Sequence, residues 1–280
     1  FDAQLWAKVI ELGAPGMGSS VDIGGGGASL SDLVVVAEAF GRSIAPIPLL
    51  EHLAAALVLT DADVVSGEAI ATVAVRPADA SGVWRLVPAG AVAQVVVGID
   101  GDDMVAVRST PPMVAPRNHA AAPLADRSAR EGQRIVLGGA AEFAPVLDRW
   151  KVLTAAALVG IADAAMALGV QYVMDREQFG VPVGSFQAVQ HGLADLPVMI
   201  DGGRLLTHKA AWAIDSGDPG INDWGLNDIT DGSTLASMAY VFTTDGAALA
   251  TDRSLHYHGG YGFSEEYDIQ LYYRRARGWS

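Results

Sequence analysis

The alternation of apolar and polar positions divides the chain into three regions. From Leu5 to Leu12 the apolar residues recur at helical spacing, and further helical segments follow up to about residue 67. Residues 68–142 instead carry short valine-rich runs separated by glycine, proline and Asp-Gly turns, a pattern typical of antiparallel strands. Residues 143–280 are helical again. The sequence therefore predicts an N-terminal helical domain at 1–67, a β domain at 68–142 and a C-terminal helical domain at 143–280.

The third region is predicted to hold four helices joined by short loops, which is the pattern of a helical bundle. Their expected positions are Trp150–Met174, Ser185–Ser216, Ser233–His256 and a shorter helix from about Tyr267. Breaks rich in Gly, Asp and Pro separate them at 180–184, 216–232 and 258–264. The β region is long enough for a small barrel or sandwich.

Composition narrows the function classes. Hydrophobic residues make up 51% of the 280 residues and charged residues 18%, so the chain is expected to fold around a sizeable core and to bury surface against another chain. The net charge of −14 argues against nucleic acid as a partner. The absence of cysteine excludes disulfides, cysteine zinc sites and iron–sulfur clusters.

The start of the chain and its longest apolar segment indicate where in the cell the protein is expected. The chain begins at Phe1 with no basic leader segment, so a cytoplasmic protein without a signal peptide is expected, with residues missing at its N terminus. The longest apolar segment, Val152–Ile161, is shorter than the roughly 20 residues that a membrane span requires, and no membrane span is expected.

Two segments carry candidate chemistry. In the first, Arg176 ends one long helix and Gln187 opens the next, with Phe179 between them. A guanidinium at such a corner can bind a pyrophosphate through paired hydrogen bonds, while Phe179 offers an aromatic face and Gln187 an amide. On spacing alone, a structural interpretation is favoured: Arg176 would cap helix carbonyls and Phe179 would fill the core.

The second segment follows the third bundle helix and contains Gly259 and Gly260. Glycines at this place allow a cofactor or another backbone to approach closely, although a plain helix C-cap and turn explains them as well. His256 and His258 are two residues apart, so on a helix they face different ways, which argues against a metal-binding pair.

Together these segments resemble the acyl-CoA dehydrogenase family. The resemblance rests on R-x-x-F-G from Arg176 with Gln187 eleven residues later, on G-G-x-G-F from Gly259, and on weaker matches in the first helical region at 11–42. It covers residues 1–277 and implies a mainly α fold with N-terminal helices, a small middle β-barrel and a C-terminal four-helix bundle. It also implies dimers or dimers of dimers, with FAD lying across a subunit interface.

The resemblance assigns roles to individual residues. The flavin held by a neighbouring subunit would be contacted by Arg176, Phe179, Gln187, Gly259 and Gly260. His256 stands where the family usually has Gln, and it retains one hydrogen-bond donor. Asp148 and Lys151 stand where the family often lines the acyl-CoA pocket.

Departures from the family pattern point to a shared site. The middle region lacks the Thr-x-Pro-x-x-Gly-Ser and Trp-x-Thr-Asn stretches with which the family holds its own flavin. The family's catalytic glutamate has two known positions. Trp150 occupies one, and tryptophan cannot accept a proton, while the other falls beyond Ser280. No catalytic residue is identified.

We therefore expect one subunit of an actinobacterial α2β2 acyl-CoA dehydrogenase that contributes FAD contacts to a homologous partner. The complex would oxidise an acyl-CoA, with the CoA thioester of a steroid side chain as one candidate, to the trans-2-enoyl-CoA. An electron-transferring flavoprotein or a similar acceptor would take the electrons. Two alternatives stay open: a non-catalytic structural subunit without flavin contacts, and an autonomous homo-oligomeric flavoenzyme.

Overall fold

The structure is a computed structural model that describes residues 1–217 and 231–279. The chain forms two compact units. The strand unit comprises Phe1–Leu33 and Pro46–Lys151, and the bundle unit comprises Val34–Ala45 and Val152–Ser280. Most of the expected break at 216–232 lies outside the described residues. The domain boundaries at residues 67 and 142 stay a prediction.

Helices dominate the described residues, as the sequence predicts. In chain order they are α1 (Ala3–Glu11), α2 (Leu30–Ser43), α3 (Leu49–Ala56), α4 (Ala62–Ser66), α5 (Ala144–Asp175), α6 (Gln187–Ala194), α7 (Leu196–Ser216), α8 (Gly232–Tyr257) and α9 (Ile269–Trp279). The single helix expected at 185–216 is two helices, α6 and α7. Pro197 lies in the first turn of α7, where its missing N–H costs nothing, whereas in a helix interior it would remove a hydrogen bond.

The strands between 71 and 139 form two sheets. They are β1 (Ala71–Val73), β2 (Val83–Val87), β3 (Val95–Asp100), β4 (Asp103–Arg108), β5 (Ala125–Ser128) and β6 (Gln133–Gly139). One sheet has the order β1-β3-β4-β6 and the other pairs β2 with β5. The expectation of antiparallel pairing is wrong for β1 and β3, which are parallel because the chain passes through β2 between them.

The mainly α fold class with a small β region is confirmed. The expected barrel, in contrast, is seen as two separate sheets. Within the described residues the larger sheet ends at β1 and β6, and no ladder closes it. β1 is only three residues long, and β2 pairs with β5 in its own sheet, so the strands needed for closure are used elsewhere.

The buried Trp84 and Arg127 side chains of the strand unit find hydrogen-bond partners within that unit. Trp84 is fully buried in the centre of a valine-rich core, and its indole N–H donates to the carbonyl of Ile99 at 2.8 Å. Arg127 is also buried, and its guanidinium donates to main-chain carbonyls and to the Ser109 hydroxyl at 2.7 Å. His52 of α3 accepts a hydrogen bond from the Ala71 N–H at its Nδ1, at 3.0 Å.

The bundle unit is built on the C-terminal part of α5. Leu158 and Ile161 are fully buried in a core that also contains Leu196 of α7 and Ala247 of α8. α5 and α2 approach closely through Gly160, since a Cβ at that position would collide with the carbonyl oxygen of Glu38. The α5 helix has an 18-residue window apolar enough to cross a membrane, but 72% of that window is buried inside the protein, as in a core helix.

Candidate functional site

The end of α5 and the segment after α8 form a cavity of about 780 Å³ in the bundle unit. A short hairpin follows α5 directly, and its strands β7 (Glu177–Gln178) and β8 (Val181–Pro182) have two residues each. A 3-10 turn at Gly259–Phe263 follows α8. The lining residues are Tyr172, Arg176, Gln178, Val183, Tyr257, His258, Gly259, Gly260, Tyr261, Ser264, Glu266 and Tyr267. Three of the six predicted cofactor residues, Arg176, Gly259 and Gly260, therefore line one cavity.

Arg176 presents a positive charge to this cavity. Its main-chain N–H donates to the carbonyl of Tyr172 at 2.9 Å, which continues the last turn of α5 by one residue. Its guanidinium carbon lies 5.7 Å from the centre of the Tyr261 ring, within the range of a cation–π contact. In the described part of the chain no carboxylate forms an ion pair with Arg176. The guanidinium therefore retains the capacity to bind an anion.

The glycines of the turn differ in their surroundings. Gly259 has a φ of +59°, and nothing lies within 4 Å of the position that a Cβ would take at Gly259 or Gly260. Gly262 is packed, because a Cβ there would lie 2.5 Å from the carbonyl oxygen of Leu255. Packing therefore requires the third glycine, whereas the first two leave the cavity open beside the backbone.

Aromatic rings form the floor of the cavity. The Tyr172 and His258 rings stack with centroids 4.1 Å apart, and the Tyr267 ring packs edge-on against both at 5.7 and 5.8 Å. His258 is buried and hydrogen-bonded through Nδ1 to the carbonyl of Ser254 at 2.7 Å. Burial lowers the pKa of His258, which favours the neutral ring. Burial also raises the pKa of Tyr172, so that the phenol stays neutral as well.

The three other predicted cofactor residues do not line this cavity. Phe179 lies at the tip of the β7–β8 hairpin, 94% exposed and with a φ of +57°, and its ring meets Phe186 edge-on at 6.3 Å. Gln187 is the exposed first residue of α6, as the sequence predicts, and His256 is exposed in the last turn of α8. Their contacts with FAD stay a prediction.

The hairpin tip is strained. Phe179 and Gly180 both have positive φ, as in the tight hairpin turns that favour Asn-Gly. A bulky residue in this conformation is unusual and costs free energy, and here its ring is also left in water. Neither the positive φ nor the exposed ring stabilises the isolated chain. Both are expected of a side chain that packs against another molecule.

An apolar groove of about 620 Å³ lies along α5 and α6 in the bundle unit. Its lining includes Val170, Met174, Pro182, Val189 and Leu193. Met174 is 61% exposed and Val170 is 37% exposed, which are high values for apolar side chains. This surface agrees with the expectation, drawn from composition, of apolar surface buried against another chain.

The residues assigned to the substrate and to the base position lie at the start of α5. Lys151 Nζ is 3.0 Å from Asp148 Oδ1, and Asp148 is 7% exposed. Trp150 lies between them and offers no titratable group. The pairing shows that Asp148 and Lys151 act on each other, and their contact with a substrate stays a prediction.

Sequence reasoning missed the aromatic residues of the cavity: Tyr172, His258, Tyr261 and Tyr267. Tyr172 is four residues before Arg176, so both lie on one face of α5, and this spacing was an available signal. The approach of Tyr267 and Tyr261 to α5 depends on tertiary packing and has no local signature.

Comparison with known proteins shows to which family the chain belongs. The family described as "Acyl-CoA dehydrogenase, C-terminal domain" matches residues 139–280. The chain belongs to the acyl-CoA dehydrogenase family. A relative named acyl-CoA dehydrogenase IpdE2, from Mycolicibacterium smegmatis, is 30% identical in a match that covers 99% of this chain and 83% of the relative.

Solved acyl-CoA dehydrogenase structures have the same fold. A variant of the steroid acyl-CoA dehydrogenase Tcur3481–Tcur3483 is 26% identical with a TM-score of 0.84, and the match covers 100% of this chain and 84% of that one. The ChsE4–ChsE5 complex of Mycobacterium tuberculosis is 23% identical with a TM-score of 0.84, and the match covers 100% and 83% of the two chains.

Proposed function

We propose that this chain is one subunit of a heteromeric, FAD-dependent acyl-CoA dehydrogenase, and that it lends Arg176, Gly259 and Gly260 to a flavin held mainly by a homologous partner subunit. One observation carries the proposal: the same cavity is lined by two glycines facing open space and by a guanidinium that has no carboxylate partner among the described residues. The two-component name of the 26% identical steroid acyl-CoA dehydrogenase supports a heteromer.

The cavity has the properties that a dinucleotide requires. Arg176 can form paired hydrogen bonds to phosphate oxygens, and the bare backbone at Gly259 and Gly260 admits a ligand that a Cβ would exclude. The neighbouring rings are held neutral, so Arg176 has no competing cation among them. We assign Arg176 to the pyrophosphate or an adenosine phosphate, Phe179 and Gln187 to the adenine side, and His256 to one further hydrogen bond.

When bound, FAD supplies the two-electron acceptor for oxidation of an acyl-CoA to its trans-2-enoyl-CoA. In this proposal Arg176, Gly259 and Gly260 bind and orient the nucleotide and take no part in removing the proton. Trp150 has no group that takes up a proton, and Asp148 beside it is engaged by Lys151. We therefore assign removal of the α-proton to a residue other than Trp150 and Asp148.

The name of one similar structure supports the proposed substrate class. A CoA thioester of a steroid side chain is proposed because the 26% identical structure is named as a steroid enzyme. Asp148 and Lys151 are proposed to lie beside the CoA end of the substrate, where the Lys151 ammonium would meet a phosphate or the thioester region. We further propose a cytoplasmic complex that passes electrons to an electron-transferring flavoprotein or a similar acceptor.

Co-expression with the homologous acyl-CoA dehydrogenase chains of the same genome tests the proposal. The lone chain is expected to be colourless, whereas the complex is expected to be yellow and to lose most of its flavin in Arg176→Ala. Arg253→Ala is the matched control, since Arg253 already pairs with Asp195 at 3.1 Å and with the carbonyl of Gly192.

Two outcomes would overturn the proposal. An Arg176→Ala complex with unchanged flavin content would make the chain a structural subunit without flavin contacts. A lone chain that is yellow and active would make it an autonomous flavoenzyme.

A further inference from the structure

We infer that Tyr261 is a positioning residue, whose ring holds the Arg176 guanidinium in place for the nucleotide. The inference rests on the proposed function and adds to it a residue outside the arginine corner and the glycine pair. The Arg176 guanidinium carbon lies 5.7 Å from the Tyr261 ring centre, and both side chains line the same cavity.

Arg176 needs such a support because little else in the described chain holds its side chain. Its guanidinium makes no ion pair there, and arginine loses much rotamer freedom when a ligand immobilises it. A ring beneath the guanidinium restricts that freedom before the ligand arrives, and it leaves the N–H groups at the edge free to donate. The contact therefore orders the cation without consuming its hydrogen bonds.

The Tyr261 ring is itself fixed from behind. It packs against Tyr267 at 5.5 Å, and Tyr267 packs against the stacked pair of Tyr172 and His258. His258 is anchored by its hydrogen bond to the carbonyl of Ser254. A continuous set of rings thus connects the end of α8 with the end of α5, and Tyr261 is the member in contact with the guanidinium.

The exposure of the Tyr261 side chain shows that its contact with Arg176 is not part of the buried core. Tyr261 is 49% exposed, so its ring contributes little to the interior. The chain also offers a matched control, since Arg277 lies 5.5 Å from the ring of Tyr273 on α9, and neither residue lines the cavity. Removal of the Tyr273 ring breaks a comparable contact elsewhere in the same unit.

The test is titration of FAD into the flavin-depleted complex, with the quench of flavin fluorescence as the measurement. Tyr261→Leu is expected to weaken FAD binding about three- to fivefold, Tyr261→Phe to stay within about twofold of the parent, and Tyr261→Trp to bind at least as tightly. Tyr273→Leu is expected to leave FAD binding unchanged. Equal losses in Tyr261→Phe and Tyr261→Leu would overturn the inference, because the hydroxyl rather than the ring would then matter.

A double-mutant cycle distinguishes positioning from a general structural role. In the Arg176→Ala background, Tyr261→Leu is expected to cause no further loss of FAD affinity, because the group that it orders is gone. An equal loss in both backgrounds would overturn the inference. Should Tyr261→Leu fail to unfold cooperatively, Tyr261→Met takes its place in both backgrounds, with the same expected and contradicting results.

The two claims fail in different ways. If Arg176→Ala leaves FAD affinity unchanged, the proposed function itself fails. If Arg176→Ala weakens binding and Tyr261→Leu does not, only the positioning role fails.

Discussion

Two arginines of the strand unit, Arg85 and Arg127, differ in their surroundings from Arg176 of the bundle unit. In the strand unit Arg85 pairs with Asp79 and Asp126, both at 2.8 Å, and Arg127 is surrounded by main-chain oxygens. In the bundle unit the Arg176 guanidinium lies over an aromatic ring and forms no ion pair within the described residues, beside two glycines that face open space. A guanidinium whose N–H groups already have partners, as in Arg85 and Arg127, needs no ligand, whereas one without such partners retains the capacity to bind an anion.

The largest expected effect tests the buried interior of the strand unit. Burial lowers the pKa of His52 to about 4. In the unfolded chain His52 has a pKa near 6.5, so below that pH the unfolded state takes up a proton that the folded state does not. The free energy of unfolding is therefore highest above about pH 6.5 and decreases as the pH falls to about 4. The loss amounts to about 3 kcal/mol.

Urea denaturation from pH 7.5 to 4 measures this loss. His52→Asn is the matched variant, because its side-chain oxygen can still accept from the Ala71 N–H and does not titrate in this range. We expect the parent to lose more stability than the variant over that interval. If the unfolding free energies of the parent and the variant changed equally with pH, His52 would not be the group that titrates.

Arg176→Ala comes next in size. Loss of a charged hydrogen-bond donor to phosphate is expected to weaken FAD binding by about 2 kcal/mol, roughly 30-fold, with little change in the melting temperature of the complex. Arg253→Ala is expected to show the reverse, a lower melting temperature and normal flavin affinity, because Arg253 bonds within the bundle unit. Equal changes of flavin affinity and melting temperature in the two variants would contradict the different roles given to Arg176 and Arg253.

Phe179→Asn is expected to stabilise the isolated chain and to weaken FAD binding by the complex. Asparagine tolerates a positive φ better than phenylalanine, so the isolated chain should gain about 0.5 to 1 kcal/mol of stability. The complex should lose about 1 kcal/mol of FAD affinity, since an aromatic face is removed.

Leu86 offers the control for this pair of effects. It has a φ of +48° and is 55% exposed in the strand unit. Leu86→Asn is expected to stabilise the chain in the same way and to leave flavin affinity unchanged. A stabilised Phe179→Asn variant with full flavin affinity would show that the strained tip serves no nucleotide.

The smallest expected effect concerns the start of α5. Lys151→Gln is expected to raise KM for the acyl-CoA about two- to threefold with kcat unchanged, because Lys151 is already engaged by Asp148. Steady-state kinetics of the complex measure this change. A normal KM together with lower stability would make the Asp148–Lys151 pair purely structural.

Local sequence signals predict most of the helices and the two halves of the site. Glycine and proline mark helix ends, and Gln187 opens α6 as expected. The same rules could not predict β5, because Ala125–Ser128 reads Ala-Asp-Arg-Ser and lacks a valine-rich run. The β7–β8 hairpin escaped prediction for a similar reason, since its tip carries Phe179 where Asn is usual.

Long-range packing limits what the sequence alone can reveal about the cavity. Arg176 and Gly259 are recognisable separately as motifs, but their meeting depends on α5 and α8 lying in one bundle. The role of Tyr261 depends on the same meeting. Neighbouring residues within one element are predictable from spacing, whereas contacts between distant elements follow from the fold.

Flavin stoichiometry of the co-expressed complex tests the central claim most directly. Absorbance of released FAD, measured against the concentration of each chain, is expected to give one flavin for each pair of unlike chains. The lone chain should bind none, and the Arg176→Ala complex should be depleted. One flavin for every copy of the lone chain, or an Arg176→Ala complex that retains its full flavin, would contradict the account.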